Sequence, residues 1–172
     1  MLAQWAAERP DLDTSPVGVV ARIGRAARYL DAGVESALRL HGLTRESFDV
    51  LATLRRSGPP YRLSPTVLYR SLMRTSSAIT HRVAILEGAG LVRRTPDPDD
   101  GRGLLVELTT AGATAIDGVV EGHLANERRL LAPLDDGQRE TLAELLRILL
   151  AAYERDAGAI LPTQARRRRR RA

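Results

Sequence analysis

The chain has 172 residues, no cysteine, only 3% aromatic residues and a formal net charge of +5. A core with so few aromatic side chains has to be built from Leu, Val, Ile and Ala, which favours helices. The absence of cysteine excludes disulfides, thiolate metal ligands and cysteine nucleophiles. No apolar run reaches the roughly 18 residues of a membrane span, and the N-terminus lacks the pattern of a secretory signal, so we expect a cytoplasmic protein.

Charge is distributed unevenly along the chain. Residues 54–106 hold nine arginines against four acidic residues, whereas residues 107–165 hold five arginines against ten acidic residues. A basic middle with an acidic flank predicts that the middle contacts a polyanion such as DNA. The chain then ends in six consecutive arginines, residues 166–171, a like-charge block that we expect to be disordered.

The first long helix is predicted over residues 16–42. Ser15 is a candidate N-cap, Pro16 suits the first turn, and Gly42 suits the end of the helix. Its apolar positions recur at alternating spacings of three and four, as on the seam of a coiled coil. These positions are Val20, Ile23, Ala27, Leu30, Val34 and Ala37.

Three shorter helices follow, and a tight link joins the last two. Thr44 caps a helix that runs to about Arg56 and buries Phe48, Leu51 and Leu54, and the sequence SGPPY (57–61) breaks it. Ser64 and Thr75 then cap helices over 64–72 and 75–89. Because only two residues join these helices, the pair is typical of a helix-turn-helix.

A β-hairpin and two further helices complete the chain. LVRRT (91–95) and LLVEL (104–108) are β-prone runs around a polar tip. Thr109 caps a helix over about 110–131, and Asp135 or Asp136 caps a last helix that ends near residue 153. That last helix has a strongly apolar face formed by Leu142, Leu145, Leu146, Leu149 and Leu150.

We therefore predict a mainly α fold with a small β-hairpin wing: a winged helix-turn-helix with a helical dimerisation region. Residues 1–15 form an N-terminal extension helix, and residues 16–156 form the dimer-forming domain. Within it, residues 44–108 read DNA, and the helices at 16–42 and 110–156 make the dimer. Residues 157–172 are a disordered Arg-rich tail.

The helix at 75–89 is the predicted DNA-reading element. Ile79, Val83 and Leu86 form its buried stripe, and the other side is small and polar, which suits either a major groove or plain solvent. The basic hairpin favours the groove, with Arg102 at its tip in a minor groove and Arg93 or Arg94 at a phosphate. The predicted DNA-binding residues are Arg74, Ser76, Ser77, Thr80, His81, Arg94 and Arg102.

Asp49 and Arg56 lie seven residues apart, hence on one helix face but about 10 Å apart along the axis. That distance is too long for a direct ion pair, so each has to meet another helix, solvent or a ligand. Arg82 flanks the buried stripe of its own helix and points into the protein. A structural Asp49–Arg82 ion pair is the alternative to a ligand between them.

No catalytic constellation is present. The three histidines, His41, His81 and His123, lack partners at metal-ligand spacing, and neither a phosphate-binding glycine loop nor a nucleophile–base pair occurs. We expect neither enzymatic activity, a cofactor nor a metal.

Residues 76–112, SSAITHRVAILEGAGLVRRTPDPDDGRGLLVELTTAG, resemble the recognition helix and wing of the MarR family of bacterial regulators. The likeness extends over roughly residues 16–155. It implies a winged helix-turn-helix homodimer that binds palindromic DNA.

Three segments are more similar to the urate-responsive, PecS-like branch of that family: residues 4–13, 48–73 and 123–134. In that branch a small ligand is held by a Trp, an Asp, an Arg seven residues later and an Arg of the recognition helix. The matching residues are Trp5, Asp49, Arg56 and Arg82. Trp5 is alternatively a packing residue of the N-terminal helix.

The expected function is that of a ligand-responsive transcriptional regulator, a repressor that a small anionic ligand releases from DNA. Urate or another purine is the first candidate, because two arginines and one aspartate suit a planar monoanion with N–H donors. A tricarboxylate such as aconitate is the second, since Asp49 would repel it. The alternative is a ligand-blind architectural DNA-binding protein.

Overall fold

The computed structural model describes residues 2–100 and 103–155. Within these ranges the chain is mostly helical with one small antiparallel sheet, and the predicted fold class is confirmed. The elements in chain order are α1 (Leu2–Glu8), α2 (Ser15–Arg39), α3 (Arg45–Arg56), β1 (Arg62–Leu63), α4 (Pro65–Ser71), α5 (Ser76–Gly88), β2 (Val92–Pro96), β3 (Leu104–Leu108), α6 (Thr110–Leu130) and α7 (Asp136–Arg155).

Side-chain caps fix where most of these helices begin. Thr44, Ser64, Thr75 and Thr109 each accept the backbone N–H of the third residue after them, as predicted. At the start of α7, Asp135 accepts the N–H of Gln138 while Gln138 accepts the N–H of Asp135, so Asp135 and not Asp136 is the cap.

The predicted Ser15 cap is wrong. Thr14 occupies the N-cap position of α2 and makes no side-chain cap bond, and Ser15 is already helical. Asp13 instead accepts both the N–H and the hydroxyl of Ser15. The Asp13 carboxylate, and not a serine hydroxyl, therefore accepts the backbone N–H at the start of α2.

The core forms where α3, α5, α6 and the sheet meet. Leu51 and Leu54 of α3 are fully buried, and the stripe of Ile79, Val83 and Leu86 on α5 is at most 3% exposed, as predicted. This core fixes the inner face of α5, and it leaves the outer face of the helix in solvent.

The sheet has the order β1-β3-β2. Val92 pairs with Leu108 and Pro96 with Leu104, which confirms the hairpin. Strand β1 was not predicted, because two residues are too short to show a period-two pattern and Arg62–Leu63 acquire strand geometry only by pairing with β3.

The N-terminal end of α6 lies against the chain that leaves α5. The backbone N–H of Thr109 donates to Leu91 O, and its hydroxyl donates to Gly90 O. A Cβ on Gly112 would lie 2.0 Å from the Leu91 carbonyl oxygen. Only glycine permits this close approach, which sets the angle at which α6 leaves the wing.

Much apolar surface of the long helices is exposed in the single chain. Helix α2 packs against α6 at Gly33, whose carbonyl accepts the Asn126 amide, yet Val20 of the predicted stripe is 69% exposed. Helix α7 has no buried residue at all. Helix α1 packs against α2.

In the described part of the chain, no helix combines the length and hydropathy that a membrane crossing requires. The predicted Arg-rich tail and the wing-tip Arg102 lie outside the described residues.

Candidate DNA interface and ligand clefts

The outer face of α5 carries the four polar residues that the sequence assigned to DNA: Ser76, Ser77, Thr80 and His81. All four are exposed. The Thr80 hydroxyl donates to the Ser76 carbonyl (2.9 Å), and Ser77 shares a hydrogen bond with the capping Thr75 (3.1 Å). Three of these four side chains are short hydroxyls, which suits close approach to base edges.

The turn between α4 and α5 is as tight as predicted. Met73 adopts a left-handed backbone with φ 49°, and the N–H of Arg74 returns to the carbonyl of Tyr69. Arg74 is therefore exposed just before the polar face of α5. Its position at the edge of that face suits a phosphate contact.

The two arginines of β2 point to opposite faces of the strand. Arg93 pairs with Glu107 of β3 (2.5 Å). Arg94 pairs with Glu87 of α5 (2.6 Å), and the same carboxylate accepts the Arg94 backbone N–H (3.1 Å). The base of the wing is thereby fastened to the end of α5.

A cleft of about 440 Å³ lies between α3 and α6. Asp49 and Arg56 both line this α3–α6 cleft, together with Phe48 and Ile116. Asp49 has its ion-pair partner in Arg45 at 3.8 Å, and Arg56 donates to the Thr53 hydroxyl at 3.1 Å. Each thus has a partner within α3 itself, and not on another helix, which was one of the alternatives open from the sequence.

A second cleft of about 260 Å³ lies between α3 and α5. Asp49 and Leu72 line this α3–α5 cleft as well, so they form the wall that the two clefts share. Arg82 belongs to the second cleft and Arg56 to the first. The remaining residues that line the α3–α5 cleft are Glu46, Arg74, Ala78, Ile79 and His81.

The structure thus does not gather the four predicted ligand residues around one cavity. Asp49 and Arg82 share one cleft, Asp49 and Arg56 share the other, and Trp5 lines neither. Trp5 lies on α1 and is 47% exposed.

Arg82 points into the protein, as predicted, but its partner is not Asp49. It contacts the Glu46 carboxylate at 3.4 Å and the Ser47 hydroxyl at 3.3 Å. The structural Asp49–Arg82 ion pair is therefore replaced by one with Glu46. Sequence reasoning missed Glu46, although it lies one helical turn before Asp49 and shares its side of α3.

Burial and helix position separate the two carboxylates. Burial raises the pKa of Asp49, and the nearby Arg45 and Arg74 only partly oppose this. Glu46 lies in the first turn of α3, and the hydrogen bond from its own backbone N–H lowers the pKa of its carboxyl. Arg82 and Arg74 lower that pKa further. Glu46 is therefore the more firmly charged of the two.

His123 of α6 is a further residue of the α3–α6 cleft that the sequence did not single out as a site residue. Its ring centroid lies 4.2 Å from that of Phe48, and its buried Nδ1 has no hydrogen-bond partner. Its Nε2 lies 3.2 Å from Glu127, four residues later, so the expectation that no histidine has a partner at this spacing is wrong for His123. Among the described residues, no three His, Asp or Glu side chains are grouped so as to hold a metal ion.

The sequence profile described as MarR family matches residues 41–103, from just after α2 to the wing. The HTH-type transcriptional regulator PecS of Dickeya dadantii is 38% identical over 146 residues, which are 85% of this chain and 88% of PecS. The chain belongs to the MarR family. It is a DNA-binding transcriptional regulator of the winged helix-turn-helix type, and not an enzyme.

Two further relatives of this MarR protein are informative. The HTH-type transcriptional repressor NicR of Pseudomonas putida is 27% identical and covers 83% of this chain and 91% of its own. The MarR family regulator Sco3205 of Streptomyces coelicolor, solved in complex with DNA, has a TM-score of 0.75 at 29% identity, over 82% of this chain and 89% of its own.

Proposed function

We propose that this MarR protein is a repressor that binds a palindromic operator as a homodimer and is released by a small anionic ligand, urate or another purine. One observation carries the ligand part of the proposal. Arg82 belongs to the DNA-reading helix, yet its guanidinium is turned away from the exposed face and into a cleft with Asp49. An anion bound in this cleft would contact α5, the DNA-reading helix, directly through Arg82.

Helix α7 supports the homodimer. It is 20 residues long and buries no residue, while Leu145 is 56% exposed and Leu150 is 48% exposed. An isolated amphipathic helix gains most of its stability by packing its apolar face. A second copy of α7, packed around a two-fold axis beside α2 and α6, covers that face and places two α5 helices on one side of DNA.

The DNA part of the proposal assigns the operator contacts to the exposed side of α5 and to the wing. The residues are Arg74, Ser76, Ser77, Thr80, His81, Arg94 and Arg102. A two-fold dimer of such readers requires half-sites about one helical turn, roughly 10 bp, apart. Arg94 is held by Glu87, so we assign it to positioning the wing at the phosphate backbone.

The chemistry of the α3–α5 cleft favours a planar monoanion with N–H donors. Asp49 accepts N–H groups and Arg82 binds the anionic edge. A tricarboxylate such as aconitate fits less well, because Glu46 and Asp49 both line the cleft. Arg56 and Trp5 lie outside it and are proposed to tune the response, so their replacement weakens release without abolishing it.

The energy that such a switch needs is modest. A hundredfold loss of DNA affinity requires about 2.7 kcal/mol of differential ligand binding to the two states. One or two charge-assisted hydrogen bonds, at about 1.5–3 kcal/mol each, supply this amount.

The test is a mobility-shift assay on the protein's own promoter, titrated with urate, xanthine and aconitate. Urate should release the wild type, whereas Arg82→Ala should bind DNA as a dimer and stay bound. Arg128→Ala is the matched control, because Arg128 is exposed on α6 and lines neither cleft. If none of the three compounds releases DNA at millimolar concentration, the ligand proposal is wrong.

The architectural alternative draws on the six terminal arginines. It predicts nearly equal affinity for operator and random DNA, whereas a regulator shows a large ratio. Deleting residues 166–171 should lower affinity for both DNAs alike and flatten the salt dependence. Loss of discrimination on that deletion would contradict our assignment of specificity to α5 and the wing.

A further inference from the structure

The guanidinium that the proposed ligand needs already has a partner. Arg82 lies against Glu46 and Ser47, both in the first turn of α3, and its side chain is only 20% exposed. The Ser47 hydroxyl is itself shared, because the Thr44 hydroxyl donates to it at 3.3 Å. An anion that binds the Nη1–Nη2 edge of Arg82 side-on therefore has to take the place of Glu46.

The Glu46–Arg82 ion pair has the geometry of a weak contact that a ligand can displace. Its shortest contact is 3.4 Å, and the Glu46 side chain is 46% exposed. Half-exposed ion pairs of this length contribute little stability. A planar anion that accepts two parallel N–H groups of a guanidinium makes a stronger contact than one long, single-point pair.

Once displaced, Glu46 has a second arginine beside it. Arg74 lines the same cleft as Glu46 and Arg82, and its charge acts on the Glu46 carboxylate. Arg74 lies in the link before α5, at the edge of the proposed DNA-binding face. Once Glu46 has lost Arg82, its carboxylate can therefore pair with Arg74, the arginine that we assign to a phosphate contact.

We propose that Glu46 is an exchangeable latch: it holds Arg82 in the ligand-free protein, is displaced by the ligand's anionic edge, and then pairs with Arg74 and withdraws it from DNA. The inference rests on the proposed function and deepens it. It restricts the ligand to a delocalised, planar anion that binds the guanidinium side-on. It also makes Glu46 the residue through which ligand binding affects the DNA interface.

The variant Glu46→Gln separates this latch from a merely structural role. Urate should bind the variant about three- to fivefold more tightly, because a competing carboxylate is gone. Urate should nevertheless release less DNA from the variant than from the wild type, because no acid is freed to pair with Arg74. A residue that only supports the fold would weaken both properties together. Glu121→Gln, on the exposed part of α6 and outside both clefts, is the matched control.

Salt dependence gives a second readout that does not require the Glu46 variant to fold well. If each subunit withdraws one phosphate contact, saturating urate should lower the slope of log affinity against log salt by about two per dimer. Arg74→Gln should show the lower slope without urate, and urate should then not lower it further.

The outcomes are distinguishable. If wild-type protein neither binds urate nor leaves DNA, the proposed function fails and the latch fails with it. If Arg82→Ala abolishes release but Glu46→Gln binds urate no more tightly than wild type, only the latch is overturned. A wild-type salt slope that urate leaves unchanged overturns the exchange with Arg74.

Discussion

Arg55 and Asp117 form a two-point ion pair that ties α3 to α6 at the edge of the α3–α6 cleft. Nε lies 2.8 Å from Oδ1 and Nη2 lies 3.1 Å from Oδ2, and the guanidinium carbon lies 4.9 Å from the centroid of the Tyr61 ring. The pair joins the helix that supports the DNA reader to a helix of the proposed dimer region.

The first prediction concerns this pair. The Arg55 hydrogen bond lowers the pKa of Asp117, so its stabilisation is present above the ordinary aspartate pKa and is lost as pH falls through the lowered value. Asp117→Asn should therefore lower the melting temperature slightly at pH 7 and not in strong acid. Because the pair is exposed, 1 M salt should shrink the difference; a salt-independent difference would contradict this origin.

Asp49 should show the opposite pH dependence. Burial raises its pKa, so the charged form costs stability once pH rises through that raised value. Asp49→Asn should melt at a higher temperature than wild type at pH 7, and the gain should vanish in acid, where the wild-type carboxyl is also neutral. The same variant should lose release by urate. A lower melting temperature at pH 7 would mean that the Arg45 contact outweighs the burial.

Two glycines of α6 provide a matched pair of substitutions. A Cβ on Gly112 would meet the Leu91 carbonyl oxygen at 2.0 Å, whereas a Cβ on Gly118 meets nothing within 4 Å. Gly112→Ala should destabilise the protein by about 3 kcal/mol, because backbone has to move. Gly118→Ala should stabilise it by about 0.5–1 kcal/mol. Chemical denaturation measures both, and equal effects would contradict the close approach at Gly112.

The proposed dimer depends on the exposed leucines of α7. Leu145→Asp should give monomeric or unfolded protein that binds operator poorly, because a carboxylate replaces a side chain of the apolar face. Leu104→Asp is the control: Leu104 is 50% exposed in the wing, close to the 56% of Leu145, and it should leave the dimer intact. Light scattering measures the assembly, and a stable, folded wild-type monomer at micromolar concentration would refute the proposal.

The elements that sequence reasoning predicted well are those with local signals. Thr44, Ser64, Thr75 and Thr109 mark helix starts by caps that depend only on the next three residues. Strand β1 lacks such a signal, because it exists only through pairing with a strand more than 40 residues later.

The candidate site was predictable as a set of residues and not as an arrangement. The resemblance to the urate-responsive branch supplied Asp49, Arg56 and Arg82, and their helical spacing placed Asp49 and Arg56 on one face of α3. The sequence could not show that Asp49 lies in the wall between two clefts, since that position depends on how α5 and α6 cross α3. For the same reason the contact of Arg82 with Glu46 remained hidden.

Glu87 is attached to Arg94 twice, through the guanidinium and through the backbone N–H, so α5 and the base of the wing are directly linked. If this link holds while the proposed ligand acts on Arg82, the helix and the base of the wing should move together and keep their geometry relative to each other. The proposed inducer should then alter which separations between half-sites the proposed dimer tolerates, while each half-site keeps its base preference. Operators with one base pair inserted or removed at the centre should lose or gain sensitivity to the inducer accordingly.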